Sequence, residues 1–256
     1  MTDQESMPED HDHSIMDEPT PQAPKHIAVF MAHADDAEFL VAGTVARWVA
    51  EGNRVTYIVI TNSDKGTEDP EMTGEALAAL RQEEQRAACK VLGVENVIFM
   101  GRPDNSLDGR DVSLKLEITR ILRQIRPDVV MCQDPSLWWR ESSYINHPDH
   151  RNAGEAVITA AFPSAGNRLS FPELLAEGLE PIKIKEIWVM GPLEGDHWVD
   201  IGDYLPQKLA ALQAHASQIG DWDSTDEITK WAEETGKRAD PPLGYAEEFR
   251  VFHTSG

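Results

Sequence analysis

Two short runs of this chain concentrate imidazoles and carboxylates: His33-Ala34-Asp35-Asp36 and His147-Pro148-Asp149-His150. A hydrolytic metal centre needs three protein ligands and one coordination position left open for water. The metal draws that water's pKa towards about 7 and polarises the scissile carbonyl. A nearby carboxylate that does not bind the metal must then accept the proton. The first run offers one imidazole, one ligating carboxylate and one spare carboxylate; the second adds an imidazole ligand and leaves another over. Residues three apart at a helix start share a face, so one histidine can ligate while the other faces substrate. Taken singly, each run has a plainer explanation. An Asp before a helix is commonly its N-cap, and His-Pro-Asp-His suits a Pro-initiated helix with an acid in its first turn.

The case for chemistry lies in the elements that must position both runs. Residues 26–32 are short, apolar and β-branched at their start, as a buried strand should be. Phe39, Ala42, Gly43, Ala46, Val49 and Ala50 then recur at helical spacing until Gly52. A second buried strand (54–61), a polar loop, a long amphipathic helix ending at Gly93 and a third strand (96–101) follow. Next come a helix closed by Pro127, a fourth strand (128–134), a helix from about Asp149 to Ala161 and a strand within 183–191. Strand alternating with helix at this spacing predicts an α/β fold: a Rossmann-like, doubly wound, mostly parallel sheet with helices on both faces. In such a sheet ligands bind beyond the carboxyl ends of the strands. His33 directly follows the first strand and His147 ends the loop after the fourth, so both runs belong at one sheet edge.

Three segments are expected. Residues 1–25 hold seven acidic residues, four prolines and a single lysine, and predict a disordered acidic tail. Within it, His11 and His13 could chelate a metal weakly, although a solvated tail is the plainer reading. Residues 26–200 form the catalytic α/β domain. Residues 201–256 form a helical C-terminal extension packed on that domain, with Leu205, Leu209, Leu212, Ala216 and Ile219 on one stripe, a weaker helix over 224–235 and a short tail.

The 256 residues carry 45 acidic and 23 basic side chains, a formal charge of −22. A polyanion repels phosphate backbones and anionic lipid heads, which argues against nucleic-acid or membrane-surface partners. No apolar run suits a membrane span and the N-terminus has no signal-peptide pattern, so a cytoplasmic protein is expected. Cys89 and Cys132 fall on apolar faces and are expected as core thiols. No dinucleotide fingerprint, Walker loop, nucleophile elbow or cysteine-rich zinc cluster is present.

His-Ala-Asp-Asp, Thr61-Asn-Ser-Asp-Lys-Gly-Thr67, the spaced set Arg81, Glu84, Ala88, Leu92-Gly93-Val94, then Gly101 to Leu107, Arg126 to Val130 and Asn146 to Arg151 follow one another in order. This ordered set resembles the LmbE-like, or PIG-L, family of zinc-dependent N-deacetylases, from His26 to about Ile201. Ala210 to Gln218 and Tyr245 to Arg250 also resemble the tail of one bacterial branch. The resemblance implies that His33, Asp36 and His150 ligate one Zn2+, with Fe2+ or Mn2+ as possible substitutes. It implies that Asp35 is the general base and then acid, that His147 steadies the oxyanion and that Asp149 orients His147. Arg81 and Asp104 match substrate contacts of sugar-active members. The implied substrate is a small N-acylated, most simply N-acetylated, amino sugar. The family's usual His-Pro-Asp-Asp is departed from at Ala34. Where some members carry a tyrosine, this chain has Ile145, with Tyr144 one residue earlier.

Outside the motifs, Trp138 and Trp139 could stack on a sugar or pack their own loop, and Asp64 and Lys65 could touch substrate or simply form a turn. His197, His215 and His253 are expected to be ordinary satisfied or exposed histidines. Two other functions compete: a non-catalytic metal-containing binding module, and a non-haem iron oxygenase built on a two-His-one-carboxylate triad. The spare Asp35 argues against the first and the strand–helix alternation against the second. The acyl amine, the native metal and any homo-oligomeric state stay open.

Overall fold

The computed structural model describes residues 23–254. The expected tail, with His11 and His13, falls almost wholly outside them. In chain order the elements are β1 (His26–Met31), α1 (Asp36–Leu40), α2 (Ala42–Ala50), β2 (Arg54–Thr61), α3 (Gly74–Leu92), β3 (Asn96–Arg102) and α4 (Val112–Ile125). They continue with β4 (Val129–Gln133), β5 (Trp139–Arg140), β6 (Tyr144–Ile145), α5 (Pro148–Thr159), α6 (Pro172–Ala176), β7 (Glu186–Met190) and β8 (His197–Asp200). The last are α7 (Leu205–Gln213), α8 (Ala216–Ile219), α9 (Thr225–Gly236) and β9 (Ala246–His253). None of the described helices is long and apolar enough to cross a membrane.

Seven strands make one sheet in the order β3-β2-β1-β4-β7-β9-β8. The first five are parallel, and β9 runs antiparallel to both β7 and β8. This is the expected doubly wound sheet. The chain winds outward from β1 to β3, then returns to β4 on the other side of β1. Such a reversal opens a crevice at the carboxyl ends of β1 and β4, which is where the two histidine runs emerge.

Side-chain alternation explains why both faces are covered. Ile27, Val29 and Met31 join one core with Val45 of α2, Cys89 and Leu92 of α3 and Ala211 of α7. Ala28, Phe30 and Ala32 point into the other, against Leu114, Ile118 and Leu122 of α4 and Ala156 and Val157 of α5. A strand buried on both faces shows no polar alternation, which is why β1 reads as a continuous apolar run. Both cysteines are free and buried, as expected.

The C-terminal part departs from its sequence reading. It does supply helices, but residues 246–253 form strand β9 between β7 and β8 rather than a tail. Its apolar period is masked by Glu247, a buried acid that accepts the Gly43 and Thr44 N–H groups at the start of α2 and pairs with Lys208 at 2.6 Å. A carboxylate is stabilised at a helix N-terminus, so Glu247 ties the sheet to the helix that follows the first histidine run. The loop around Trp138 and Trp139 is likewise not featureless: β5 and β6 pair as a small antiparallel ribbon.

Candidate active site

The chain turns sharply out of β1. Asp35 takes a left-handed conformation (φ 95°) at the N-cap position of α1, yet its carboxylate caps no N–H of that helix. The plain N-cap explanation therefore fails for Asp35. A non-glycine residue held at positive φ needs its surroundings to over-determine it. Here the Asp35 N–H donates to Gln85 Oε1 (3.2 Å), and Arg81 donates to the Ala34 carbonyl (2.6 Å) and to Asp35 Oδ2 (3.2 Å). The Ala34 N–H donates to Ser63 Oγ at 3.0 Å, a bond that a proline at this position could not make.

The second run starts α5. Pro148 occupies its first turn, and the His147 ring caps it by accepting the Asp149 N–H at Nδ1 (3.2 Å). That bond fixes the tautomer: neutral His147 carries its proton on Nε2. Burial, then the neighbouring imidazoles His33 and His150, hold its pKa below the ordinary histidine value.

His33, Asp36 and His150 converge. His33 Nδ1 lies 3.3 Å from His150 Nε2, which lies 3.0 Å from Asp36 Oδ1, and Asp36 Oδ2 is 3.7 Å from His33 Nδ1. The outer nitrogens of both rings are engaged elsewhere: His33 Nε2 with Asp104 Oδ1 (3.1 Å), His150 Nδ1 with Asn146 Oδ1 (2.9 Å). Asn146 Nδ2 donates to the Leu137 carbonyl, so the side chain's oxygen faces His150. With protons on those outer nitrogens, two imidazole lone pairs and the two oxygens of one carboxylate face one another. Such a set needs positive charge between its members, a shared proton or a metal cation.

The electrostatics agree. Burial alone would lower the His33 pKa, but the His33 N–H donating to Asp104, the carboxylate of Asp149 at 3.6 Å and the charge of Asp36 outweigh it and raise it to about 10. Asp36 is driven down despite burial, by the charge and hydrogen bond of His150 and by His33. Asp35, by contrast, is pushed up to about 7 by burial, against the opposing pull of Arg81. The centre favours positive charge, and the carboxylate beside it can both take up and give back a proton near neutral pH. The residues present fit a divalent metal. His33, His147 and His150 also come close enough to share an ion, as do His33, Asp104 and Asp149. The latter set uses the nitrogen of His33 that Asp104 already holds; a carboxylate there orients a metal-ligating imidazole.

Three site residues have partners that their sequence position does not announce. Arg81, expected at the substrate, is turned inward and 4% exposed, donating also to the Ser63 and Lys65 carbonyls. Asp104, likewise expected at the substrate, is buried between His33 and the Lys65 N–H. Asp149 orients His147 through its backbone N–H; its carboxylate instead accepts the Asn105 (2.7 Å) and Leu107 (3.0 Å) N–H groups and faces His33 at 3.6 Å. Motif position placed each residue at the site but not its hydrogen-bond partner. Asn146, Gln85 and Ser63 were not singled out as site residues. Asn146 adjoins the second run, and Gln85 lies one turn beyond Arg81, which is the only signal each gives.

Trp138 lies over the Arg151 guanidinium (3.9 Å), whose Nη1 donates to the Asn146 carbonyl. Trp139 is well exposed, as is Ile145. The Tyr144 hydroxyl, however, turns back to donate to Asn146 Oδ1 (3.0 Å) and is raised in pKa by burial and by Asp36.

Residues 28–161 match the family model described as PIG-L: GlcNAc-PI de-N-acetylase. The chain is 33% identical over 200 residues to diacetylchitobiose deacetylase of Thermococcus kodakarensis, covering 76% of this chain and 70% of that protein. It is 30% identical over 199 residues to a probable N-acetyl-alpha-D-glucosaminyl L-malate deacetylase 2 of Bacillus anthracis, covering 76% and 82%. Among solved structures, N,N'-diacetylchitobiose deacetylase from Pyrococcus horikoshii, in complex with an inhibitor, superposes with a TM-score of 0.82 at 28% identity, covering 90% of this chain and 84% of that one.

Proposed function

The chain belongs to the PIG-L, or LmbE-like, family, and from that premise we propose that it is a metal-dependent hydrolase that removes an acetyl group from the amine of an amino sugar. His33, Asp36 and His150 would hold the cation, zinc by preference, with His33 Nδ1, the Asp36 carboxylate and His150 Nε2 as the donors that face one another. When bound, a divalent cation at such a site acidifies water towards neutrality and polarises the amide carbonyl. Asp35 takes the proton of the attacking water as its oxygen bonds to the carbonyl carbon. The Nε2–H of His147 donates to the developing oxyanion, which is where a preorganised donor contributes most. As the carbon–nitrogen bond breaks, Asp35 passes its proton to the departing nitrogen, leaving acetate and a free amine.

Arg81 serves this chemistry from beneath by fixing the Asp35 carboxylate. Asp104 and Asn146 set the tautomers of the two ligating imidazoles, and Asp149 anchors the 103–107 loop against His33. Two buried free thiols and the acidic surface suit a reducing cytoplasm.

One observation carries the reading: two imidazole lone pairs and a carboxylate meet at 3.0–3.7 Å, beside a second carboxylate that lies outside the donor set. The test is elemental analysis of the purified protein together with acetate release from N,N'-diacetylchitobiose and other N-acetylglucosamine conjugates. One divalent ion per chain and turnover of at least one conjugate are expected. Asp35→Asn should keep the ion and lose turnover by about 100-fold to 10,000-fold, the usual contribution of a general base. A metal-loaded protein inactive on the whole panel, or a fully active Asp35→Asn, overturns it.

A further inference from the structure

His215, a residue without an assigned role in the sequence, is wholly buried 180 positions beyond Asp35. It lies at the turn between α7 and α8, and this turn is fastened to the catalytic half by Ser217, whose N–H and hydroxyl both donate to Glu84 at 2.7 Å. Gln218 reaches the Gly66 carbonyl beside it.

From His215 a chain of side chains runs to the backbone of Asp35. His215 Nε2 lies 3.2 Å from Glu38 Oε2; the other Glu38 oxygen accepts Gln85 Nε2 at 3.0 Å; Gln85 Oε1 accepts the Asp35 N–H at 3.2 Å. Glu38, Gln85 and His215 are each 0% exposed. Neither ring nitrogen of His215 nor Glu38 Oε2 has another hydrogen-bond partner among the described residues, so the 3.2 Å contact of Nε2 with Oε2 is what those two atoms have. A buried carboxylate stripped of its counter-group is strongly disfavoured and must move or recruit water. Movement of Glu38 would release Gln85, and with it a hydrogen bond that keeps Asp35 at positive φ.

We propose that His215 is a positioning residue: through Glu38 and Gln85 it locks the Asp35 backbone in its left-handed turn, so that the carboxylate stands beside the metal donors without joining them. The inference rests on the reading of Asp35 as the base. It gives the C-terminal segment a part in catalysis although none of its described side chains ranks among the metal donors.

The test compares metal-loaded wild type, His215→Ala and His215→Gln, the last keeping an N–H for Glu38. Should His215→Ala not fold, Gln85→Ala cuts the chain one link nearer Asp35 and replaces it. Two readouts are taken: hydrogen–deuterium exchange of the Asp35 amide, with the β1 amides as internal control, and kcat and KM for N,N'-diacetylchitobiose. Expected for the alanine variant are about tenfold faster exchange at Asp35 with β1 unchanged, a kcat at least tenfold lower, KM within about twofold and full metal content. His215→Gln should recover most of both losses. Unchanged exchange at Asp35, equal acceleration in β1, or a glutamine variant as damaged as the alanine one overturns the proposal. Asp35→Asn run alongside separates the readings: if it keeps full turnover, Asp35 is not the base, while the exchange data still judge the role of His215.

Discussion

Asp35 and Asp36 are neighbours in sequence and opposites in charge behaviour. Asp36 faces His150 and His33 and is held ionised well below the usual carboxylate range, whereas burial lifts Asp35 to about 7. Adjacent carboxyls pushed apart in this way can divide the labour of ligand and proton carrier. Their difference comes from a single turn: the positive φ of Asp35 sends its side chain to Arg81 while the next residue enters α1 and points at the imidazoles. At the same scale, Asp104 is hydrogen-bonded to His33 at 3.1 Å. Asp104→Asn should therefore weaken metal binding by about 10-fold to 100-fold, as loss of a carboxylate behind a ligating imidazole does. Chelator competition measures it, and unchanged metal affinity with a raised KM would return Asp104 to the substrate.

The elements deliver these residues by close packing. Helix α5, which His147 caps, lies so near β4 that a Cβ on Gly154 would collide with the Gln133 carbonyl. Gln133 in turn accepts the Ala32 N–H through its side chain, so β1, β4 and α5 meet one residue before His33. Gly154→Ala should cost roughly 1–3 kcal/mol, the usual penalty of overpacking, read as a shift in the urea midpoint. It should also spread His150 from His33 and reduce metal occupancy. A stability within 0.3 kcal/mol of wild type, a difference on the order of measurement error, would show that α5 can slide freely on β4.

At the scale of the whole molecule, the amino end of the sheet is closed by His26. Its ring links Thr56 of β2 (2.9 Å), Arg54 (2.8 Å) and the Ile125 carbonyl at the end of α4 (2.9 Å). Burial, then the Arg54 charge, holds its pKa below the ordinary 6.5. A histidine kept neutral in the fold binds fewer protons than the unfolded chain below pH 6.5. Stability is thus complete above that pH and is lost as pH falls towards the lower folded value. The thermal midpoint should drop between pH 7 and pH 5.5, and His26→Gln should flatten that part of the profile. An unchanged slope in the variant would assign the titration elsewhere. The same scale explains β9: the sheet is completed by residues that read as a tail because their buried acid, Glu247, serves the helix N-terminus across the domain.

The strand–helix alternation that builds the parallel half of the sheet, and the edge of that sheet at which the two histidine runs emerge, were legible in the amino-acid sequence; strands β5, β6, β8 and β9 were not. Apolar periodicity records which faces must leave water, and strand–helix alternation admits few windings. What folding alone decided is who pairs with whom. Arg81 with Asp35, Asp104 with His33, and His215 with Glu38 are unions of buried polar groups 46, 71 and 177 residues apart. Periodicity is blind to such pairs, because a buried polar side chain takes whichever complementary group the packed loops bring within about 3 Å of it.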